Sequence, residues 1–317
     1  MLWTDRDFIS VADLLAADSS AARIASVETI VLDGETGVIR QQIGEAGADL
    51  LVLLQQYQTS FTPLGITSAH MQAVLGPYSQ VNARAALSQI VVSDARPGYW
   101  SPIKRWVLYR VLGALYQQAS ERQEGDRYGR MWARTAADVE TRYQPFLFTS
   151  GLPVVVNPIA CPGAEAEPGS GVWNASALSA IDGGSGIADQ PLQVALSFVG
   201  SPDLSALAPN SESALSRGVA FTLPIGKQLI VSRAGVNPIQ TQPPSTIHQA
   251  VYYPRVATGW NVYVAGADGV FWLQTAQPLP LATMSVTLSV IANSGVQAGT
   301  GQIPDAALTM QRVMFRG

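Results

Sequence analysis

Ser101-Pro102-Ile103-Lys104 has the Ser-x-x-Lys spacing in which a lysine amine, one helical turn on, activates a serine nucleophile. The companion Lys-Thr-Gly and Ser-Asp-Asn segments of such enzymes do not occur in the chain. A serine cap followed by proline at the first helical position accounts for the same residues. Asp33-Gly34-Glu35-Thr36-Gly37 sets two carboxylates among glycines but falls short of a twelve-residue calcium loop with its closing glutamate. It reads as a turn that starts a helix. Gly183-Gly184-Ser185-Gly186 has no Lys-Ser/Thr after it and no helical pattern, so it reads as a flexible loop rather than a phosphate cradle. Cys161 is alone, and with only His70 and His248 beside it the chain cannot assemble a common zinc set. Neither histidine has a carboxylate nearby in sequence. These readings lead to an expectation of no catalytic, cofactor-binding or metal residues, no cofactor, and no enzymatic activity.

Partner contacts are a different matter. Arg122, Arg127, Arg130, Arg134 and Arg142 form a moderately basic helical face, with Glu121, Glu124, Asp126, Asp138 and Glu140 interleaved. Arg127, Arg130 and Arg134, together with Trp106 on the preceding helix, are the expected contacts to a partner or another subunit. Ion pairs between helices or subunits suit this mixture better than phosphate binding. Tyr252, Tyr253, Trp260, Tyr263, Phe271 and Trp272 cluster in the second half. Core packing is the default for such a cluster. Trp260 and Trp272 are the residues expected to touch a partner if some of it is exposed.

Composition bears on the same question. Of 317 residues 47% are hydrophobic, as in folded domains, but only 13% are charged, about half the usual share of roughly 25%. So few charges leave much neutral surface, which cover by neighbouring copies would resolve. The net charge of −4 gives no global attraction to nucleic acid. No leader segment is expected, since the first residues lack a basic, apolar and small-residue succession, and no membrane span, since no run of about 18 apolar residues occurs. Asn174-Ala175-Ser176 fits the glycosylation pattern by chance.

The chain changes character near residue 150: 13 of its 19 basic and 15 of its 23 acidic residues precede Gly151. Helices are predicted over about 10–15, 33–57, 67–75, 80–91, 101–120 and 126–143. Ser10 and Asp13 suit a capping box for the first. In the fifth, Ile103, Trp106, Val107, Leu108, Val111, Leu112, Leu115 and Tyr116 cover most of the circumference, which marks a helix buried among others. Gly44 and Gly47 in the second mark close approach or a bend. Gln144-Pro145 stops the last helix, because proline disfavours helical geometry in the residue before it.

Beyond the stop the patterns alternate. Strands are predicted over 193–199, 284–290 and 308–315. Hairpins are predicted at 219–232, around Pro224-Ile225-Gly226, and at 260–274, around Gly266-Ala267-Asp268-Gly269. Irregular stretches over 157–187, 201–217 and 236–248 separate them. The expected fold is α+β, an N-terminal α-helical bundle over 1–147 followed by an antiparallel β-sandwich with long loops over 148–317.

In arrangement the first half resembles the head–tail connector, or neck adaptor, proteins of tailed bacteriophages. Val11-Ala12-Asp13-Leu14-Leu15 leads to Val31-Leu32-Asp33-Gly34. A core helix with Trp106-Val107-Leu108-Tyr109-Arg110, a charged turn and a final helix over Arg127 to Tyr143 follow. The likeness covers about 110 residues. It implies a structural virion protein: a homo-oligomeric ring, usually of twelve copies, seated under the portal protein. Such a ring joins portal to tail or fibre proteins around the DNA channel, with non-specific contact to packaged DNA and none to membrane. The implied place is the neck of the virion, after assembly in the host cytoplasm. Family members are often little more than the helical domain, and the β half departs from that pattern. Two other readings stand beside it, a tail, baseplate or capsid decoration protein and a carbohydrate-binding module.

Overall fold

A computed structural model describes residues 2, 3, 5, 8, 9, 11–18, 38–57, 90–92, 102–122, 126–145, 152–155, 158–163, 173–186, 188–200, 211–233, 236, 257–299, 301–303 and 306–308. It contains both helices and antiparallel sheets, a mixed α+β content. The helix predicted over 67–75, residues 80–89 of the next, Asp33 to Gly37, His70, His248, Tyr252 and Tyr253 lie outside the described residues, as do Ser10 and Ser101. The last two residues of the helix predicted over 80–91 are not helical, for Val91 bridges antiparallel to Leu2 and Ile90 O accepts from Trp3 N–H at 2.9 Å.

The chain forms two compact units, each built from three stretches. Asp7–Phe61, Val92–Val154 and Ala306–Gly317 make one, and Met1–Arg6, Thr62–Val91 and Val155–Asp305 make the other. The sequence pattern suggests instead a single boundary after residue 147. The difference arises from pairing between distant segments. Strand β1 (Leu152–Val154) pairs antiparallel with β10 (Ala306–Leu308), Leu152 opposite Leu308 and Val154 opposite Ala306, within the helical unit. No local pattern encodes a partner some 150 residues away.

In the helical unit, α1 (Val11–Ala17), α2 (Val38–Tyr57) and α4 (Asp126–Asp138) all pack on α3 (Pro102–Arg122). The all-round apolar sequence of α3 explains this. Ile103, Trp106, Val107, Leu108, Val111, Leu112, Leu115, Tyr116 and Ala119 are all buried. Ala46 and Leu50 face inward from α2, whereas Gly44 is exposed with open space where a Cβ would stand. Gly44 is therefore no close-approach position. Lys104 is ion-paired with Asp13 of α1 at 3.0 Å, which gives this lysine a structural partner.

The helical backbone runs on past α4 through a π-turn, Val139–Tyr143, in which Gln144 N–H donates to Val139 O, and reaches Pro145. Gln144-Pro145 thus widens the helix where a stop is expected. A proline ring collides with the carbonyl four residues back in an α-helix, and the wider turn moves that carbonyl aside.

The other unit holds two sheets. One has strand order β2-β5-β9, from Leu178–Asp182, Lys227–Ser232 and Ser285–Leu288. The second has order β4-β3-β6-β7, from Val219–Leu223, Gln190–Val199, Gly259–Ala265 and Phe271–Leu273, with β8 (Leu279–Pro280) also on β6. Alternate residues of both sheets meet in one hydrophobic cluster. Leu192, Val194, Leu196 and Phe198 of β3 and Trp260, Val262 and Val264 of β6 join Leu229 and Val231 of β5 there.

The hairpin predicted at 260–274 is present, with Gly269 at φ +70° closing the turn onto Gly266 O. That predicted at 219–232 is not a hairpin. β4 pairs with β3, β5 pairs with β2 and β9, and the turn at Pro224 carries the chain from one sheet to the other. Leu223 and Leu229 then face the same core from different sheets. Strand β2 falls inside a predicted loop. Gly183-Gly184-Ser185-Gly186 is tied down: Gly183 and Gly184 N–H donate to Gly226 O, and Gly226 N–H to Gly186 O. Asn174 caps a short turn, its Oδ1 accepting from Ser176 N–H at 2.9 Å and Ser176 Oγ at 2.6 Å.

Candidate functional site

Two polar arrangements stand out, one in each unit. In the helical unit it is the outer face of α4. Tyr128 and Thr135, seven residues apart, and Val139 beyond them are buried toward α3. The 3.6-residue period then turns Arg127, Arg130 and Arg134 away from that side, and all three are exposed. The Arg127 guanidinium lies 6.0 Å from the Tyr128 ring centroid. Trp132, 40% exposed, sits at the border of the buried face. Arg142 lies 5.6 Å from the Tyr143 ring, which stacks on Tyr109 at 4.5 Å. Burial and the hydrogen bond with Tyr109 push the Tyr143 phenol up to about 12.

Trp106 does not belong to this face. It is 1% exposed inside the helical unit, so the expectation that it contacts a partner fails: an all-round apolar helix hides its largest side chain first.

In the β unit the arrangement centres on Glu212. This residue bridges to Val199, on the edge of β3 beyond the reach of β4. Its Oε1 accepts from Ser197 Oγ, from Asn261 Nδ2 at 3.0 Å and from Tyr263 Oη at 2.8 Å. Thr275 Oγ1 donates to Asn261 Oδ1 at 3.2 Å, which turns the amide so that its nitrogen faces the carboxylate. Ser197, Asn261, Tyr263 and Thr275 are buried and Glu212 is half-buried. Burial and the adjacent Glu212 carboxylate drive the Tyr263 phenol far above its ordinary value. Three neutral donors on one oxygen hold Glu212 in a single orientation without neutralising its charge.

The chain matches no known family model, curated protein or solved structure.

The aromatic contact residues predicted in the second half divide. Trp260 is fully buried, its Nε1 donating to Thr283 O at 3.0 Å, so it presents nothing to a partner. Trp272 is half-buried on β7, with its indole N–H shielded from solvent. The Glu212 network escaped sequence reading altogether. Its other members lie 15 to 63 residues from Glu212 in the chain and carry no shared motif. The one available signal is the run of polar residues, Ser197, Asn261 and Thr275, in or beside strands otherwise rich in Val and Ala. Among the described residues there is no group of three or more potential metal ligands, and no helix long and apolar enough to cross a membrane.

Proposed function

We propose that this chain is a structural protein of the tailed-bacteriophage neck, an adaptor that joins portal to tail as a ring of about twelve copies around the DNA channel. The observation that carries this reading is α3. It is buried along its length and packed by α1, α2 and α4, and α1, α3 and α4 hold three of the segments that carry the connector likeness. A bundle organised round one central helix leaves the outer face of α4, with its arginines, for contacts to other chains. In this reading the two sheets face each other as a β-sandwich across their shared core, and the β unit meets tail or fibre proteins. The role is mechanical: ring closure, symmetry matching and a sealed path for DNA. The burial of Trp260 weighs against a carbohydrate-binding module, since it removes one of the two exposed aromatic platforms that reading needs.

The test is assembly. Size-exclusion chromatography with light scattering, on the chain alone and mixed with its cognate portal protein, should give a ring or a portal-bound ring visible by negative-stain microscopy. A chain that stays single in both mixtures, or antibody labelling that decorates shell or fibre instead of neck, overturns the proposal.

A further inference from the structure

The charges of this chain are few and unevenly placed. Residues 155–305 hold four basic and eight acidic residues, so the whole surplus of −4 lies there, while residues 1–154 and 306–317 hold fifteen of each sign. The outer face of α4 presents three exposed arginines, with acidic residues along the same helix. Arg127 and Arg134 are exposed seven residues apart, two turns on one face, with Arg130 between them. Arg127 lies over the Tyr128 ring, and among the described residues neither Arg127 nor Arg134 has an ion-pair partner. Exposed guanidinium groups without a partner in their own chain are free to meet carboxylates of another.

We propose that this face docks on a second copy of the chain, the guanidinium groups of Arg127 and Arg134 meeting carboxylates of the acidic stretch 155–305 across the subunit boundary. The stretch offers suitable acceptors. Asp189 and Asp268 are exposed, and each has one oxygen fixed by a backbone N–H, of Ile225 at 2.9 Å and of Val270 at 3.2 Å. Glu212 is held by its three donors through Oε1 alone, which leaves Oε2 outside the network. Carboxylates held this way lose little freedom on pairing. Nucleic acid would answer the arginines equally well, but it would be repelled by the acidic surplus. A second copy uses both. The contact is heterologous, the kind that closes rings. The inference rests on the ring reading above and names the contact that closes it.

The test uses the full chain with Arg134→Lys, which keeps the charge and adds an amine that carbodiimide couples to a touching carboxylate. With isotopically light and heavy chains mixed, the expected product is a light–heavy link from position 134 to an acid in 155–305. In parallel, Arg134→Glu should weaken self-association about tenfold or more at low salt, with the difference shrinking as salt rises. Links confined to one chain, links to acids outside 155–305, or no link overturn the inference. So does a ring unaffected by Arg134→Glu, including one whose only loss is retention on DNA; in that case the ring reading survives. A wild-type chain that never associates, alone or with portal, removes both.

Discussion

Tyr263, in the middle of β6, donates its phenolic hydrogen to Glu212 at 2.8 Å, so a buried strand residue is tied to a half-buried carboxylate 51 residues earlier in the chain. The bond has a structural consequence. Beyond Glu212 the chain runs along β3 as an irregular continuation of β4, where Ser213 and Ser216 hydroxyls accept the N–H groups of Phe198 and Leu196 at 2.9 Å. Glu212 anchors the start of that run.

Tyr263→Phe should therefore destabilise the β unit. Hydrogen bonds to charged groups contribute about 1.5–3 kcal/mol, and the partial exposure of Glu212 places this one near the lower figure. Urea unfolding followed by tryptophan fluorescence gives the value. A loss below about 0.5 kcal/mol would show that the network contributes no net stability.

Alkali should weaken the fold. Tyr143 is raised to about 12 by burial and its bond with Tyr109, and Tyr263 is raised further by burial and the Glu212 charge. Unfolded tyrosines ionise near 10. As pH climbs past that value the unfolded chain loses protons that the folded chain keeps, so stability complete below pH 10 declines toward pH 12. Ultraviolet titration should show late-ionising tyrosines in the folded chain that join the rest in urea. The unfolding midpoint should fall over the same range, and less so in Tyr143→Phe.

Two glycines should respond in opposite directions. Gly44 lies exposed inside α2, and a Cβ added there would meet nothing within 4 Å. Gly44→Ala should stabilise by about 1 kcal/mol, the helix-propensity difference. A Cβ on Gly184 would fall 1.9 Å from Lys227 O. Gly184→Ala must push β5 away from the loop and should destabilise by about 1–3 kcal/mol. Thermal unfolding of the two variants beside wild type decides both.

Asp5 is buried in the β unit, and one of its oxygens accepts from Leu2 N–H at 2.7 Å. Burial pushes its carboxyl above the ordinary carboxylate range, against the opposing pulls of the N-terminal positive charge and of that N–H. A raised folded value means that stability present at low pH is lost as pH rises through it. Asp5→Asn removes the ionisation and should make the chain more stable at neutral pH than wild type, with the gain vanishing below about pH 4. Denaturant midpoints at several pH values measure it.

Sequence patterns sufficed where the determining forces are local. The 3.6-residue repeat in α2, α3 and α4 follows from which side chains must leave water, so their positions, the burial of α3 and the outward turn of Arg127, Arg130 and Arg134 are legible residue by residue. So is the hairpin at Gly266 to Gly269, whose turn chemistry is contained in four residues. Tertiary structure alone decided what depends on distant partners. The Gly183 to Gly186 loop reads as free until Gly226 is found beside it, and the turn at Pro224 reads as a hairpin until β5 is seen to prefer β2 and β9. Which aromatic residues stay accessible is likewise a matter of packing: Trp106 and Trp260 are enclosed by their cores, while Trp272 is half-buried. Glu212 has no significance in sequence, because the donors that hold it come from strands paired through backbone hydrogen bonds. Those bonds are chemically alike at every residue, so the choice of partner strand is settled only when the whole chain has packed.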